Sequence, residues 1–335
     1  MFELLRIRDF GALWLAGLIS FAGDAAIIFA LPLHIYRLTN STLATAGVLA
    51  ATFLPRVLFG SVAGVFVDQW DRKWTMVAAD TTRALFLLPI LIAPDQLTVL
   101  YAVAAIQGTI GMFFRPAEGA LLPKLVGEEH LVAANALNSL NNNIGMLVGP
   151  AMGTILYAAF GIGGTILADA ATFAISAALI SSIRADSRPE RDSNTPIGGA
   201  AWERMASNWR AGITVVRRNP ALRVLFLTST LTGVAEGVFL TLGLSPLVLD
   251  VLGGTPAQVG IVGSAQAIGG LIAGVIVVRI GHKLTRRWLL GGGMIGIGLA
   301  DFCTANVRVV AAAGTQAVGA AMGFMIAAGR HRSRL

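Results

Sequence analysis

Charge is scarce in this sequence: Asp, Glu, Lys and Arg make up 13% of the 335 residues, against 55% hydrophobic residues. So few charges cannot solvate the surface of a soluble domain of this length, and with a mean hydropathy of +0.73 the chain reads as a membrane protein. Cysteine is almost missing. The single Cys303 lies in an apolar run and allows no intramolecular disulfide. No spacing of His, Cys, Asp or Glu suits a metal site, and no nucleophile and base are arranged for covalent catalysis, so neither a metal, a cofactor nor an enzymatic activity is expected. A Gly-x-x-x-x-Gly-Lys-Ser/Thr loop is also missing, which argues against an ATP-driven pump on this chain. Polar residues do not alternate with apolar ones in period two, the pattern of a transmembrane β-barrel. No small-residue cleavage site follows the first apolar core, so that core is expected to stay in the protein as a spanning helix.

What the sequence does contain is apolar runs of spanning length. A helix needs about 20 apolar residues to cross a bilayer, and ten such runs are predicted: Leu13–Leu33, Ala44–Val67, Trp74–Ala93, Leu97–Phe114, Ala136–Ala158, Ile162–Ile183, Leu222–Leu242, Val259–Val278, Trp288–Ala305 and Val309–Ala328. The fold class is therefore an all-α membrane protein.

The net charge of +7 raises the question of nucleic acid, and the distribution of the 25 Lys and Arg residues answers it. With a cytoplasmic amino terminus, 21 of them fall in inside segments, among them Arg72, Lys73 and the eight Arg between Arg184 and Arg223. Outside segments hold Arg37 and Arg308, while Arg56 and Arg83 lie in the helix pattern. Lys and Arg in short loops set orientation, so both termini are expected in the cytoplasm. Positive charge spread over every cytoplasmic loop does not form the single groove of a nucleic-acid binder. The partners expected are instead the lipid bilayer, a small-molecule substrate and protons, with the chain acting as a monomer.

Six runs precede the polar stretch Arg184–Asn219 and four follow it. The expected division is an amino-terminal six-helix bundle over 1–183, a cytoplasmic linker over 184–221 and an incomplete four-helix bundle over 222–335. In the linker, Trp202, Met205, Trp209 and Ile213 recur at helical spacing opposite Glu203, Arg204, Arg210 and Arg217. That pattern fits an amphipathic helix on the membrane surface, or equally a soluble helix packed on the bundle. A faint repeat joins the halves: Gly60-x-x-x-Gly64 before Lys73-Trp74 returns as Gly270-x-x-x-Gly274 before Arg287-Trp288. Parallel repeats of this kind place a substrate site at their interface.

The most specific segment runs from Gly60 through Gly64 and Asp68 to Asp71, Arg72 and Lys73. It resembles the cytoplasmic loop signature of the major facilitator superfamily, with Asp71 where that signature often has glycine. Gly60 and Gly64, one turn apart, suit close approach of a neighbouring helix, and Asp68 suits a cap or the positive end of another helix. A second segment, Gly145-x-x-x-Gly149-Pro150-x-x-Gly153, is similar to the superfamily's antiporter motif. Pro150 removes a helical hydrogen bond and should kink the fifth span, although ordinary helix packing explains these residues equally well. Further stretches resemble the subfamily containing enterobactin and macrolide exporters: Arg8-Asp9-Phe10, Gly23-Asp24, Asp80-x-x-Arg83, Phe114 to Pro123 and Ala134 to Ser139.

Ionisable groups within spans are costly and default to functional candidates. Asp24, near the middle of the first span, ranks first as a proton or substrate group, followed by Glu236 and Asp169. Each has the alternative of bonding to backbone or to a neighbouring helix. Asp80 and Arg83, three apart on one face, are expected to pair and to belong with Gly64, Asp68, Arg72 and Lys73 to a cytoplasmic gate. Gln107 and Asn142 suit substrate or, more usually, an adjacent helix.

The resemblance implies a major facilitator fold of two six-helix bundles in the cell membrane and proton-coupled export of small amphipathic molecules, drug-like or siderophore-like, by alternating access. Ten spans against the family's twelve imply truncation after the tenth helix. The alternative function is then a non-transporting membrane protein acting as a scaffold or partner-binding subunit.

Overall fold

The computed structural model describes residues 2–67, 69–188, 210, 213–238, 244–265 and 268. It is built from helices, with no strand among the described residues. The main elements are α1 (Arg8–Thr39), α2 (Thr42–Val67), α3 (Arg72–Leu87) with its short continuation α4 (Pro89–Ile92), α5 (Leu97–Val126), α6 (Leu131–Ser181) and α7 (Pro220–Val238). Helices are what an apolar medium selects, because each satisfies its backbone groups within its own segment.

Among the described residues five stretches are long and apolar enough to cross a membrane, and the last of them, Glu128–Ser181, has 54 residues. At 1.5 Å per residue a straight helix of that length would reach about 80 Å, far beyond one bilayer. It does not run straight: Gly161 adopts φ 66°, a left-handed conformation that glycine takes without a Cβ clash. The two arms, 131–160 and 162–181, are the fifth and sixth expected spans. The fourth expected span is longer than the sequence predicts, since α5 runs through Arg115, Pro116 and Pro123 as far as Val126. Pro116 and Pro123 were expected to lie past its end; the helix instead tolerates both and stops at Gly127, with φ 75°. The seventh expected span matches α7, and helical residues 256–265 overlap the start of the eighth. The last two expected spans, Cys303, Arg308, the second Gly-x-x-x-Gly copy and most of the amphipathic linker lie outside the described residues.

Two apolar cores hold the first six spans together. One gathers Phe29, Leu33, Ile90, Leu100, Ile166 and Phe173, and the other Phe10, Leu13, Met76, Leu121, Leu137 and Ile180. The residues of each helix that fall between them in sequence include Asp24, Arg83 and Gln107, so the fold carries a polar layer between two apolar ones. Large apolar side chains on the outer faces, such as Leu85, Ile92 and Phe160, are exposed, as contact with lipid requires.

Helix contact across the bundle is closest between α1 and α6. Lipid tails are as apolar as leucine, so small residues and interhelical hydrogen bonds drive such packing. Methyl groups built at Gly149 and Gly153 would lie 2.3 Å from the Ala25 Cβ and 2.3 Å from the Ala26 carbonyl oxygen. Trp14 Nε1 donates to the Leu137 carbonyl at 3.0 Å, and the Asn141 amide donates to the Trp14 carbonyl at 2.7 Å. The glycines of the loop signature behave differently. Gly60 and Gly64 have nothing within 4 Å of an added methyl among the described residues, and Leu58, Phe59 and Phe66 beside them are exposed. Among the described residues, then, no helix makes the expected close approach there.

Candidate functional site

Arg83 is the centre of the polar layer. Its side chain is 5% exposed, and Nη2 forms an ion pair with the Asp24 carboxylate of α1. Nε donates to Gln107 Oε1 of α5 at 2.9 Å, and the Gln107 amide donates back to the Arg83 carbonyl at 2.8 Å. The guanidinium lies 4.0 Å from the centre of the Phe173 ring on α6, within cation–π range. One side chain thus ties together four helices, through groups whose donors and acceptors match.

This arrangement corrects one expectation. Asp80 and Arg83 share α3 and were expected to pair with each other. Arg83 reaches across to Asp24 instead, while Asp80 Oδ2 accepts from Ser176 of α6 at 2.5 Å. Three residues of separation puts both on one side of the helix, but Asp80 is fully buried against α6 whereas Arg83, one turn on, borders open space. Arg83 therefore belongs to the central cleft and not with the loop residues of the expected cytoplasmic gate.

The cleft is lined mainly by apolar side chains and by Asp24, Arg56, Arg83, Gln107 and Asp169. Three of the five proton or substrate candidates from the sequence, Asp24, Asp169 and Gln107, come together here. Gly23 makes part of this possible: a methyl at that position would lie 2.3 Å from both Asp169 Oδ1 and Thr172 Oγ1, so only glycine lets α1 approach the acidic face of α6. The Asp169 carboxylate accepts from Thr172 Oγ1 at 3.2 Å. Asn142 lies elsewhere, accepting from Arg115 at 3.1 Å. Glu236 is on α7, its side chain outside the described residues.

Sequence reasoning missed Thr172, Phe173 and Ser176, and gave Arg56 no part in the site. The signal for the first three was present. Asp169, Thr172, Phe173 and Ser176 follow steps of three, one and three, which place them along one side of a helix. Arg56 Nε donates to the Gly108 carbonyl at 3.4 Å, and its guanidinium lies 5.7 Å from the Phe53 ring.

A family model, the Major Facilitator Superfamily, matches residues 13–328. The chain belongs to the Major Facilitator Superfamily. Members of the superfamily are membrane transporters, not enzymes. Similar proteins include an uncharacterized MFS-type transporter of Mycobacterium tuberculosis, 49% identical over 41 residues, which are 12% of this chain and 9% of that protein. The MFS-type transporter YfiS of Bacillus subtilis is 28% identical over 84% of this chain and 66% of its own length. Macrolide efflux protein A of Streptococcus pyogenes is 26% identical over 87% of this chain and 71% of its own. The chain thus spans less than two thirds of the first two relatives. Among solved structures, a mutant of the nucleoside transporter NupG superposes with a TM-score of 0.76 at 14% identity, over 97% of this chain and 82% of that one. A bacterial homologue of the iron transporter ferroportin, in its inward-facing state, gives 0.66 at 17% identity, over 98% and 84%. These likenesses carry the fold.

In this superfamily member, the loop signature sits at the α2–α3 turn. Asp71 caps α3 by accepting from the Trp74 backbone N–H at 3.1 Å, and it also accepts from Ser187 Oγ at 2.5 Å. Lys73 Nζ donates to the Ile183 carbonyl at 2.7 Å, and the Arg72 backbone N–H donates to the Ser187 carbonyl at 3.1 Å. Asp9 accepts from the backbone of Arg184 and Ala185 at 3.0 and 2.9 Å. The turn is thereby stitched to the end of α6, and the acidic residue that departs from the signature acts as an N-cap. Asp68 lies outside the described residues. At the opposite end, Tyr36 of α1 donates to Asp250, and His34 lies between the Tyr157 hydroxyl at 3.1 Å and the Pro94 carbonyl at 3.0 Å.

Proposed function

We propose that the protein is a secondary active exporter of small amphipathic molecules, driven by the proton gradient through alternating access. The observation that carries this reading is the Asp24–Arg83 ion pair at the edge of an apolar-lined cleft between two packed cores. Ionisable groups at membrane depth face a bundle interior or a cavity and mark ion or substrate pathways. A proton added to Asp24 removes the negative partner of Arg83, which keeps Gln107 and Phe173. Loading and unloading that proton changes the charge balance of the cleft while its apolar walls hold the body of a substrate. Asp169 is the second carboxyl of the pathway, and Arg72 and Lys73 of the stitched turn, with Gly64 and Asp68 before them in sequence, are its cytoplasmic gate. The likeness to a macrolide efflux protein supports export, and lack of a phosphate loop supports a gradient as the energy source.

Asp24→Asn tests the coupling. The variant fixes a neutral side chain that still offers Arg83 an acceptor. In vesicles with an imposed pH gradient, uphill accumulation is expected to fall to background, while downhill exchange persists and Asp24→Glu retains part of the coupling. Full accumulation by the Asn variant removes Asp24 from the mechanism.

The charge asymmetry supports a cell-membrane orientation with both termini cytoplasmic, a bundle over 1–183 and a linker over 184–221 leading into a second bundle over 222–335. Cysteines placed singly at positions 37 and 72 check the orientation. An impermeant thiol reagent is expected to label position 37 in intact cells and position 72 only after permeabilisation; labelling of position 72 from outside contradicts it.

A further inference from the structure

Among the described residues Arg56 is a cation with no ion-pair partner. It extends from α2 into the cleft, and among the described residues its only hydrogen bond goes to a neutral acceptor, the Gly108 carbonyl at 3.4 Å. The charges close enough to act on it are Asp24, Arg83 and Arg115, one acid against two more bases. That acid is already engaged by Arg83. Asp169 forms no ion pair with either arginine and takes its hydrogen bond from Thr172 on its own turn. Arg115 is directed elsewhere, donating to Asn142 at 3.1 Å.

Gly111 shows how closely the two guanidinium groups converge. A methyl at this position would lie 3.2 Å from Arg56 Nη2 and 3.6 Å from Arg83 Cζ. Both cations therefore border the space left by one glycine on α5. Two like charges so near each other inside a bundle repel, and Asp24, the carboxylate in ion-pair contact, is taken up by Arg83. The planar donor fork of arginine matches a carboxylate or a phosphate oxygen pair. Next to it, Leu49, Val103 and Ala104 line an apolar wall.

We propose that the cleft selects amphipathic substrates bearing one acidic group, with the anion held by Arg56 at Gly111 and the apolar body against α2 and α5. This rests on the exporter reading for its name of substrate, but not for its test, which measures binding. Three ligands with one scaffold serve as probes: 4-phenylbutyrate, 4-phenylbutanol and 4-phenylbutylamine. Equilibrium dialysis against the full chain in phosphatidylcholine nanodiscs supplies no competing anionic headgroup. The butyrate is expected to bind at least tenfold more tightly than the amine, the gain of one charge-assisted contact. Arg56→Gln is expected to lose about tenfold for the butyrate and leave the alcohol unchanged, and Arg56→Lys to keep part of the preference.

Tighter binding of the amine, an unchanged butyrate affinity in Arg56→Gln, or binding of none of the three overturns the proposal. In nanodiscs containing phosphatidylglycerol, competition against the butyrate identifies a lipid headgroup as able to take the same anion site, and undiminished binding identifies the free acid as its ligand; both support an anion site. The two readings fail separately. Butyrate binding with no gradient-driven transport refutes the exporter and keeps the anion site, whereas gradient-driven transport of cationic compounds without butyrate binding does the reverse.

Discussion

Replacing Arg83 by methionine is expected to abolish gradient-driven transport and to destabilise the bundle by about 3 kcal/mol. Breaking a buried ion pair from one side costs about 3–5 kcal/mol, because the partner charge stays behind without compensation. The low end applies here, since the Asp24 side chain is 26% exposed and keeps some contact with the cleft. The same substitution takes the donor from Gln107 Oε1 and the cation from the Phe173 ring. Methionine matches the length of the arginine stem, so the loss reports charge and hydrogen bonding more than volume. Chemical unfolding in detergent measures the first effect and vesicle transport the second. Combining Arg83→Met with Asp24→Asn is expected to recover much of the stability, because no unpaired charge then remains, while transport stays absent. Full transport by the double variant contradicts the proposed role of the pair; stability losses that simply add contradict the contact itself, since residues in contact couple.

The first six spans and the family were legible in the sequence because bilayer crossing demands long apolar runs and because the loop signature of Arg72 and Lys73 is local. The break at Gly161 was read correctly as a boundary between two spans, as a glycine between apolar runs permits. The end of α5 was not legible: Arg115-Pro116 reads as a helix end, yet the helix continues to Val126. Residue types likewise identified Asp24, Asp169 and Gln107 as candidates, since a polar group in a span is conspicuous. Their partners were a different matter. Which acid Arg83 meets depends on whether its side chain turns toward α6 or toward the cleft, and spacing along α3 cannot distinguish these. Phe173 was invisible for the opposite reason, being one apolar residue among many. Nothing in the spacing of Arg56 separates it from an arginine that only packs; its shared approach to Gly111 shows that it borders the same space as Arg83.

The glycine motif of α6 is expected to be a sensitive packing site. At Gly153 an added methyl would lie 2.3 Å from the Ala26 carbonyl oxygen, 2.6 Å from its Cα and 2.7 Å from its carbonyl carbon. All three are backbone atoms, so no rotamer change relieves them and α1 must move. Glycine to alanine within a helix ordinarily gains about 0.5–1 kcal/mol from backbone entropy, whereas overpacking costs about 1–3 kcal/mol. Gly153→Ala is therefore expected to lose about 1–2 kcal/mol in detergent unfolding, and Gly153→Val more, with reduced yield of folded protein. Gly64→Ala supplies the contrast: with nothing within 4 Å among the described residues, the entropic gain operates and stability is expected to hold or rise. Gly149 separates packing from any further role of the motif. Its shortest contact is with the Ala25 Cβ, a side-chain atom, and the next are 3.0 Å to the Ala22 carbonyl oxygen and 3.1 Å to the Ala25 carbonyl carbon. Ala25→Gly removes the shortest contact, so the pair Gly149→Ala with Ala25→Gly is expected to regain most of the stability that Gly149→Ala loses. If the motif serves only to let α1 and α6 approach, transport returns together with stability in that double variant. Stability that returns without transport shows instead that Gly149 is needed when the two helices move past each other.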